Sequence, residues 1–225
     1  MSTNSGDHDS ASKAERRGRG RPPDPTKRKA ILDAAAALFF ERGIGATTME
    51  AVAERASVSK MTVYKHFPDK PALLTAVFDR NLKAIEPPEL AEKGSASPLD
   101  RLTDYGERLV MFLTRPEIVR AARIMAAGAD DHPELAAAFY AAGPATVLGR
   151  VASYLASVRD GEALNIPDEA MAAEQLVSAW LGVDQLRQNL GVGGPPSAEA
   201  VSRRVRSATE AFFRGWAAGR PGGRS

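Results

Sequence analysis

Few side chains of this 225-residue chain are suited to catalysis. The sequence has no cysteine and only three histidines, His8, His66 and His132. The lack of cysteine excludes disulfides, thiolate metal sites and thiol nucleophiles. The sequence also contains no glycine-rich phosphate loop, zinc-protease motif or nucleophile elbow. We therefore predict that the protein is not an enzyme and requires neither a metal nor a cofactor.

The polar and basic residues between positions 47 and 70 are suited instead to binding a nucleic acid. Within residues 60–67, Val63 and Phe67 lie four positions apart and face one side of a helix. Hydrogen-bond donors and basic groups occupy the other faces, and the major groove of DNA is wide enough to admit such a helix. The candidate DNA-binding residues of this region are Thr47, Thr48, Ser59, Lys60, Met61, Thr62, Tyr64, Lys65, His66 and Lys70.

Short helices must position these side chains. Apolar residues recur at helical spacing from about residue 26 to residue 42, and Gly43 suits a left-handed C-cap after them. Either Thr47, which begins a T-x-x-E capping box, or Thr48 caps a second helix that runs to about residue 56.

A break at residues 57–59 separates this second helix from a third. Ser59 caps the third helix, over residues 60–66, and Asp69 caps a longer fourth one. Two short helices joined by a break of three or four residues, with another helix packed behind, are typical of a helix-turn-helix.

Residues 45–77 resemble the DNA-binding domain of the TetR family of transcriptional regulators, and the likeness covers about residues 26–78. The matching positions are Thr47-Thr48, Ala53, Val58, Thr62-x-Tyr64-x-His66-Phe67, and Lys70 followed by Ala72-Leu73-Leu74. The family usually has glycine where this chain has Ser57. If the backbone there requires a positive φ, serine costs about 1 kcal/mol, which the fold tolerates.

The resemblance also implies a role for each polar residue. Thr48 would bind a phosphate at the start of the second helix. Lys60, Met61 and Thr62 would face base edges. Tyr64, Lys65 and His66 would hold phosphates, and Lys70 would contact a further phosphate. Phosphate contacts set the register on DNA, whereas base contacts set the choice of sequence.

The segment before the first helix is strongly basic. Of residues 13–29, eight are Lys or Arg and two are Asp or Glu, on a chain whose net charge is only +2. Residues 1–24 lack apolar periodicity, which predicts a disordered basic arm. Arg19-Gly20-Arg21-Pro22 resembles the core of an AT-hook, so Arg19 and Arg21 are candidates for an A·T-rich minor groove. The alternative is a solubilising or generally phosphate-seeking tail.

The remainder of the chain predicts longer helices and no strand, so the expected fold is all-α. The expected domains are a helix-turn-helix DNA-binding domain at 25–70, a helical effector-binding and dimerisation domain at 71–218, and a disordered tail at 219–225. One long helix is predicted to begin at residues 131–134 and end near 159, and another spans about 167–190.

Apolar stripes on the last two predicted helices suggest a helix pair that forms a four-helix bundle in a two-fold dimer. The stripes are Leu176, Trp180, Val183 and Arg187, and Val201, Val205, Phe212 and Trp216. Packing within one protomer is the alternative explanation.

A pocket is expected between the middle helices, and an apolar lining would favour a hydrophobic or amphipathic effector. The candidate effector-binding residues are Met111, Phe112, Met125, Phe139, Tyr140, Tyr154, Trp180 and Gln185. Residues 119–192 also resemble the AefR-like class of TetR C-terminal domains. The predicted helix from Asp69 to about Ile85 touches both domains and is the candidate lever between effector and DNA.

Together these features predict a cytoplasmic homodimeric regulator that binds a double-stranded DNA operator. The sequence shows no secretion signal and no long apolar run, so no membrane partner is expected. The expected activity is repression relieved by a small effector. The alternatives are an architectural minor-groove protein without an effector and an activator.

Overall fold

The computed structural model describes residues 24–85, 96–162 and 164–217. In these ranges the protein is helical and has no β-strand; Leu164 and Ala217 pair only as an isolated bridge. The predicted all-α class is confirmed. The helices are α1 (Pro25–Arg42), α2 (Met49–Arg55), α3 (Lys60–His66), α4 (Lys70–Ile85), α5 (Pro98–Leu113), α6 (Pro116–Ala127), α7 (Pro133–Tyr140), a π-helical turn (Ala141–Ala145), α8 (Thr146–Val158), α9 (Glu169–Leu181), α10 (Asp184–Asn189) and α11 (Ala198–Trp216).

Six helices are capped by a side chain that accepts a hydrogen bond from the backbone amide three residues later, which satisfies an amide that the helix leaves without a partner. The capping residues are Thr48, Ser59, Asp69, Ser97, Asp168 and Ser197, and the first three are those that the sequence predicts. Of the two alternatives for α2, Thr48 is therefore the cap.

The predicted helix from residue 133 to about 159 forms, but with a π-helical turn in its middle. Pro144 lies inside that turn. Proline has no N–H and crowds the carbonyl four residues earlier in an α-helix, so the wider turn relieves this conflict. The Thr146 hydroxyl donates to the Ala141 carbonyl, 2.9 Å away. The segment Pro133–Val158, 26 residues long, is long and apolar enough to cross a membrane, as the core helix of a soluble protein also is.

The predicted helix over residues 167–190 is wrong in one respect, because it breaks at Gly182. This glycine has φ 55°, so α9 ends at Leu181 and α10 begins at Asp184. Arg204 of α11 bridges the two helices on either side of the break. Its Nε donates to the Trp180 carbonyl at 2.8 Å, and its Nη1 donates to Asp184 Oδ2 at 2.5 Å. Apolar periodicity continues through the break and could not reveal it.

Two apolar cores are joined by α4. Leu73, Leu74 and Val77 belong to a core built on α1, α2 and α3, whereas Leu82 belongs to a second core built on α5, α8, α9 and α11. Met125 of α6 and Leu135 of α7 complete the first core. Helices α1, α2 and α3 are therefore packed directly against the helical body.

Six of the eight residues in the two predicted apolar stripes pack in or against the second core of one protomer. Trp180 is fully buried, and its Nε1 donates to Thr209 Oγ1 at 2.9 Å. Val201 and Val205 are also fully buried. These side chains are not available to a second subunit, and packing within one protomer explains them. Val183 of the same stripe is 60% exposed and is not part of this core.

Candidate nucleic-acid interface and cavity

The turn between α2 and α3 has the geometry of a helix-turn-helix. Ser57 has φ 52°, the positive value expected at this position, and the Val58 amide donates to the Ala53 carbonyl at 3.0 Å. Below the turn, Val63 is fully buried and Phe67 nearly so. The inner side of α3 is thus anchored in the core, and its opposite side faces outward.

The outward side of α3 carries most of the predicted contact residues. The Met61 side chain is 79% exposed. Tyr64 and Lys65 are also exposed, whereas Thr62 and His66 are half-buried. This combination of an exposed apolar group with donors and a cation suits the edges of bases and the adjoining phosphates.

Lys60 and Ser59 are already engaged with protein groups. The Lys60 ammonium forms an ion pair with Glu50 of α2 and lies 5.7 Å from the centre of the Tyr64 ring. The Glu50 carboxylate raises the pKa of Lys60, chiefly through their hydrogen bond. Ser59 Oγ and Thr62 Oγ1 are 2.8 Å apart. These contacts set the orientation of the first turn of α3.

Thr47 is not available as a DNA contact. Its side chain is 1% exposed, and its hydroxyl donates to the Gly43 carbonyl at 2.8 Å. The expectation for Thr47 is therefore wrong, because the hydroxyl closes the loop between α1 and α2 instead. Thr48, the next residue, is exposed and caps α2.

Lys70 is likewise not available to a phosphate. Its Nζ donates to the backbone oxygens of Ile44, Gly45 and Thr47 at 3.1, 2.9 and 3.0 Å. An ammonium has three donors, and all three are used. Burial lowers the pKa of Lys70. The predicted phosphate contact is wrong, and Lys70 instead ties α4 to the loop between α1 and α2.

Arg19 and Arg21 lie outside the described residues. Within the described ranges, no group of three or more His, Cys, Asp or Glu side chains is placed to hold a metal ion.

A cavity of about 350 Å³ lies where the two cores meet. Of the predicted effector-binding residues, four line it: Phe112, Phe139, Tyr140 and Gln185. The other four do not. Met125 is buried in the first core, and Trp180 and Tyr154 are buried in the second.

Met111 is 40% exposed and does not line the cavity. Its neighbour Phe112 does, because consecutive residues of a helix point about 100° apart and only one of the two faces inward. Helical periodicity marks apolar positions but does not tell which of them border empty space.

Several lining residues were not predicted. Phe39 and Phe40 of α1 and Ile44 of the following loop border the cavity from the DNA-binding side. The middle of α4 borders it as well, and Phe78 packs edge-to-face on Phe139 with ring centres 5.1 Å apart. In the sequence these residues have the pattern of ordinary core positions, and no local signal distinguishes them.

Polar groups are confined to part of the cavity wall. Glu174 and Ser178 lie one turn apart on α9, Gln185 and Asn189 lie one turn apart on α10, and Asn81 lies on α4. The remaining wall is apolar and rich in aromatic rings. Such a cavity is typical of a site for an apolar molecule with a few polar groups.

Comparison with known proteins identifies both halves of the chain. Residues 31–77 match the family described as bacterial regulatory proteins, tetR family, and residues 100–218 match the AefR-like transcriptional repressor, C-terminal domain. The chain is 34% identical to the HTH-type transcriptional regulator YdeS of Bacillus subtilis, over 49% of this chain and 54% of that protein. It spans about half the length of the curated relatives that it matches first.

Solved structures match over a greater length. A TetR-family regulator from Mesorhizobium loti superposes with a TM-score of 0.69 and 26% identity, over 87% of this chain and all of that one. The flavonoid-responsive regulator FrrA superposes with a TM-score of 0.62 and 27% identity, over 84% of this chain and 96% of that one. The similarity therefore extends through the cavity-bearing body as well as the helix-turn-helix.

Proposed function

Because the chain belongs to the TetR family of bacterial transcriptional regulators, with an AefR-like C-terminal domain, we propose that it is a sequence-specific DNA-binding repressor released from its operator by a small-molecule effector. The observation that carries the proposal is the outward face of α3. Met61, Tyr64 and Lys65 project from a helix whose other side is anchored by buried Val63. The family comprises regulators and not enzymes.

The proposed DNA contacts follow from this face. Lys60, Met61 and Thr62 read base edges, and Lys60 exchanges its Glu50 partner for DNA. The remaining proposed contacts, which position the protein on the backbone of the duplex, are Thr48, Ser59, Tyr64, Lys65 and His66. Arg19 and Arg21 would add minor-groove contacts.

Regulators of this family bind operators and act as dimers. For this chain we propose a homodimer in which a second copy covers the apolar face of α10 and the loop that follows it. Val183, Leu186, Leu190 and Val192 are each between 59% and 70% exposed. Clustered exposed aliphatic side chains are typical of an interaction surface. In such a dimer the two α3 helices must lie about 34 Å apart to enter successive major grooves.

Release is proposed to act through the loop between α1 and α2. Ile44 of this loop lines the cavity, and its carbonyl accepts from Lys70 of α4. On the other side of the loop, Gly43 lies against Ile124 of α6 so closely that an added Cβ would be 2.3 Å from Ile124 Cγ2. An effector that displaces Ile44 therefore shifts α1 relative to α4. A ligand that prefers this shifted state lowers the population that binds DNA.

The test of the main proposal is selection of bound sequences from random duplex DNA by the full-length chain at about 150 mM salt. A palindrome or near-palindrome is expected, because a two-fold dimer reads two equivalent half-sites. Recovery of only A·T-rich DNA without symmetry would favour the architectural alternative. A reporter behind the selected site then distinguishes repression from activation.

We also propose a cytoplasmic location, which access to the chromosome requires. The helix-turn-helix belongs to a family of DNA-binding regulators.

A further inference from the structure

The cavity contains one carboxylate and lacks a cationic side chain among the described residues. Of the 26 residues that line it in the described ranges, none is Lys, Arg or His. Glu174 is the only acidic one, and it is exposed at the wall formed by α9. The electrostatic character of the cavity is therefore neutral to negative.

Aromatic rings form a large part of the apolar wall. The six rings are Phe39, Phe40, Phe78, Phe112, Phe139 and Tyr140. They come from α1, α4, α5 and α7, so they surround the space from several directions. Ring faces carry partial negative charge, and they favour flat aromatic bodies and cations over anions.

The polar groups of the cavity supply hydrogen-bond acceptors beside that wall. Glu174 and Ser178 project from one turn of α9, and Gln185 and Asn189 project from one turn of α10. A carboxylate accepts hydrogen bonds only, and amides and hydroxyls both accept and donate. A cationic or hydrogen-bond-donating head group can pair with Glu174, whereas an anionic head group finds only neutral donors and lies near the Glu174 carboxylate.

We propose that the cavity selects aromatic molecules whose head group is cationic or a neutral hydrogen-bond donor, and that it discriminates against carboxylates and phosphates. The inference rests on the proposed function, in which this cavity holds the effector. A carboxylate that leaves water for this cavity finds neutral donors but no cationic partner among the described residues, so its desolvation opposes binding. Repulsion from Glu174 adds to that cost.

The experiment uses three ligands with the same body and different head groups: biphenyl-4-methylamine, biphenyl-4-methanol and biphenyl-4-carboxylate. Binding to the full-length protein is measured by titration calorimetry at neutral pH and low salt. We expect the amine and the alcohol to bind, and the carboxylate to bind at least roughly tenfold more weakly than the amine, a ratio that corresponds to about 1.4 kcal/mol.

Two variants identify the cause of the discrimination. Glu174→Gln removes the negative charge and keeps the size of the side chain, so the ratio between amine and carboxylate binding should fall severalfold. Glu162→Gln removes the same charge from the exposed turn after α8, away from the cavity, and should leave the ratio unchanged.

Two results overturn the inference. One is a carboxylate that binds as tightly as the amine, and the other is no binding by any of the three ligands. Both leave the proposed function testable, because selection of an operator from random DNA uses no ligand. Failure of that selection combined with the expected ligand order would instead reject the regulator and keep the cavity chemistry.

Discussion

The ammonium nitrogen of Lys70 lies 3.1 Å from the backbone oxygen of Ile44, and the side chain of Ile44 lines the cavity. A single hydrogen bond thus connects the first turn of α4 to a residue that an effector would touch. The same ammonium holds the carbonyls of Gly45 and Thr47, immediately before the cap of α2. The loop between α1 and α2 is therefore a direct link between the cavity and the helix-turn-helix.

Replacement of Lys70 by Met should destabilise the protein while leaving the electrostatics of DNA binding intact. Three backbone carbonyls lose a charged donor, and a loss of about 1–3 kcal/mol in the free energy of unfolding is expected. Because Lys70 is not placed on a phosphate, the slope of log affinity against log salt should be unchanged. Chemical denaturation and DNA titration over a salt series measure the two quantities.

Lys65→Met provides the matched control for Lys70→Met. Lys65 is exposed on α3. Its loss should leave the denaturation midpoint nearly unchanged and reduce the salt slope by about one, as expected for a phosphate contact. If Lys70→Met instead reduced the salt slope and left the denaturation midpoint unchanged, Lys70 would be a DNA contact after all.

Gly106→Ala should destabilise the second core. A Cβ at position 106 would lie 2.7 Å from Val205 Cγ1 and 2.9 Å from the Trp180 ring. Both neighbours are fully buried, so the side chains must shift, at a cost of about 1–3 kcal/mol. Gly149→Ala in α8 is the control, since nothing lies within 4 Å of its added Cβ. It should stabilise the helix by about 0.5–1 kcal/mol, and thermal unfolding compares the two variants.

Ser57→Gly should stabilise the turn between α2 and α3. Ser57 has φ 52°, a conformation that costs a residue with a Cβ about 1 kcal/mol relative to glycine. Ser57→Ala keeps the Cβ and removes only the hydroxyl, so it should show no such gain. Equal melting temperatures for the Gly and Ala variants would refute the role of backbone strain at this position.

Leu190→Glu should convert the proposed dimer to a monomer without unfolding it. Leu190 is 70% exposed in one protomer, so a carboxylate there hardly affects the stability of the protomer. Its burial under a second copy would oppose dimerisation. Sedimentation velocity measures the change of mass. Met61→Glu is the counterpart, because Met61 is 79% exposed on α3. That variant should keep the dimer and lose DNA binding, and a Leu190→Glu protein that remains dimeric would place the interface elsewhere.

Local signals in the amino-acid sequence were enough to establish the fold class, the family and most helix starts. Ser59 caps α3 through an amide only three residues away, and Ser57 has the positive φ expected from its position in the turn. Such features depend on a few consecutive residues, because capping and backbone strain act within one turn of a helix. They can therefore be read without knowledge of the tertiary fold.

Exposure and cavities depended on the tertiary structure. Thr47 and Lys70 match a DNA-binding pattern, yet one is buried and the other is engaged with three carbonyls up to 26 positions earlier in the chain. Trp180 has the helical spacing of an interface residue but finds its partner, Thr209, 29 positions later in the same protomer. Periodicity identifies an apolar face without saying what covers it, because the covering element is brought there by chain folding and not by neighbouring residues.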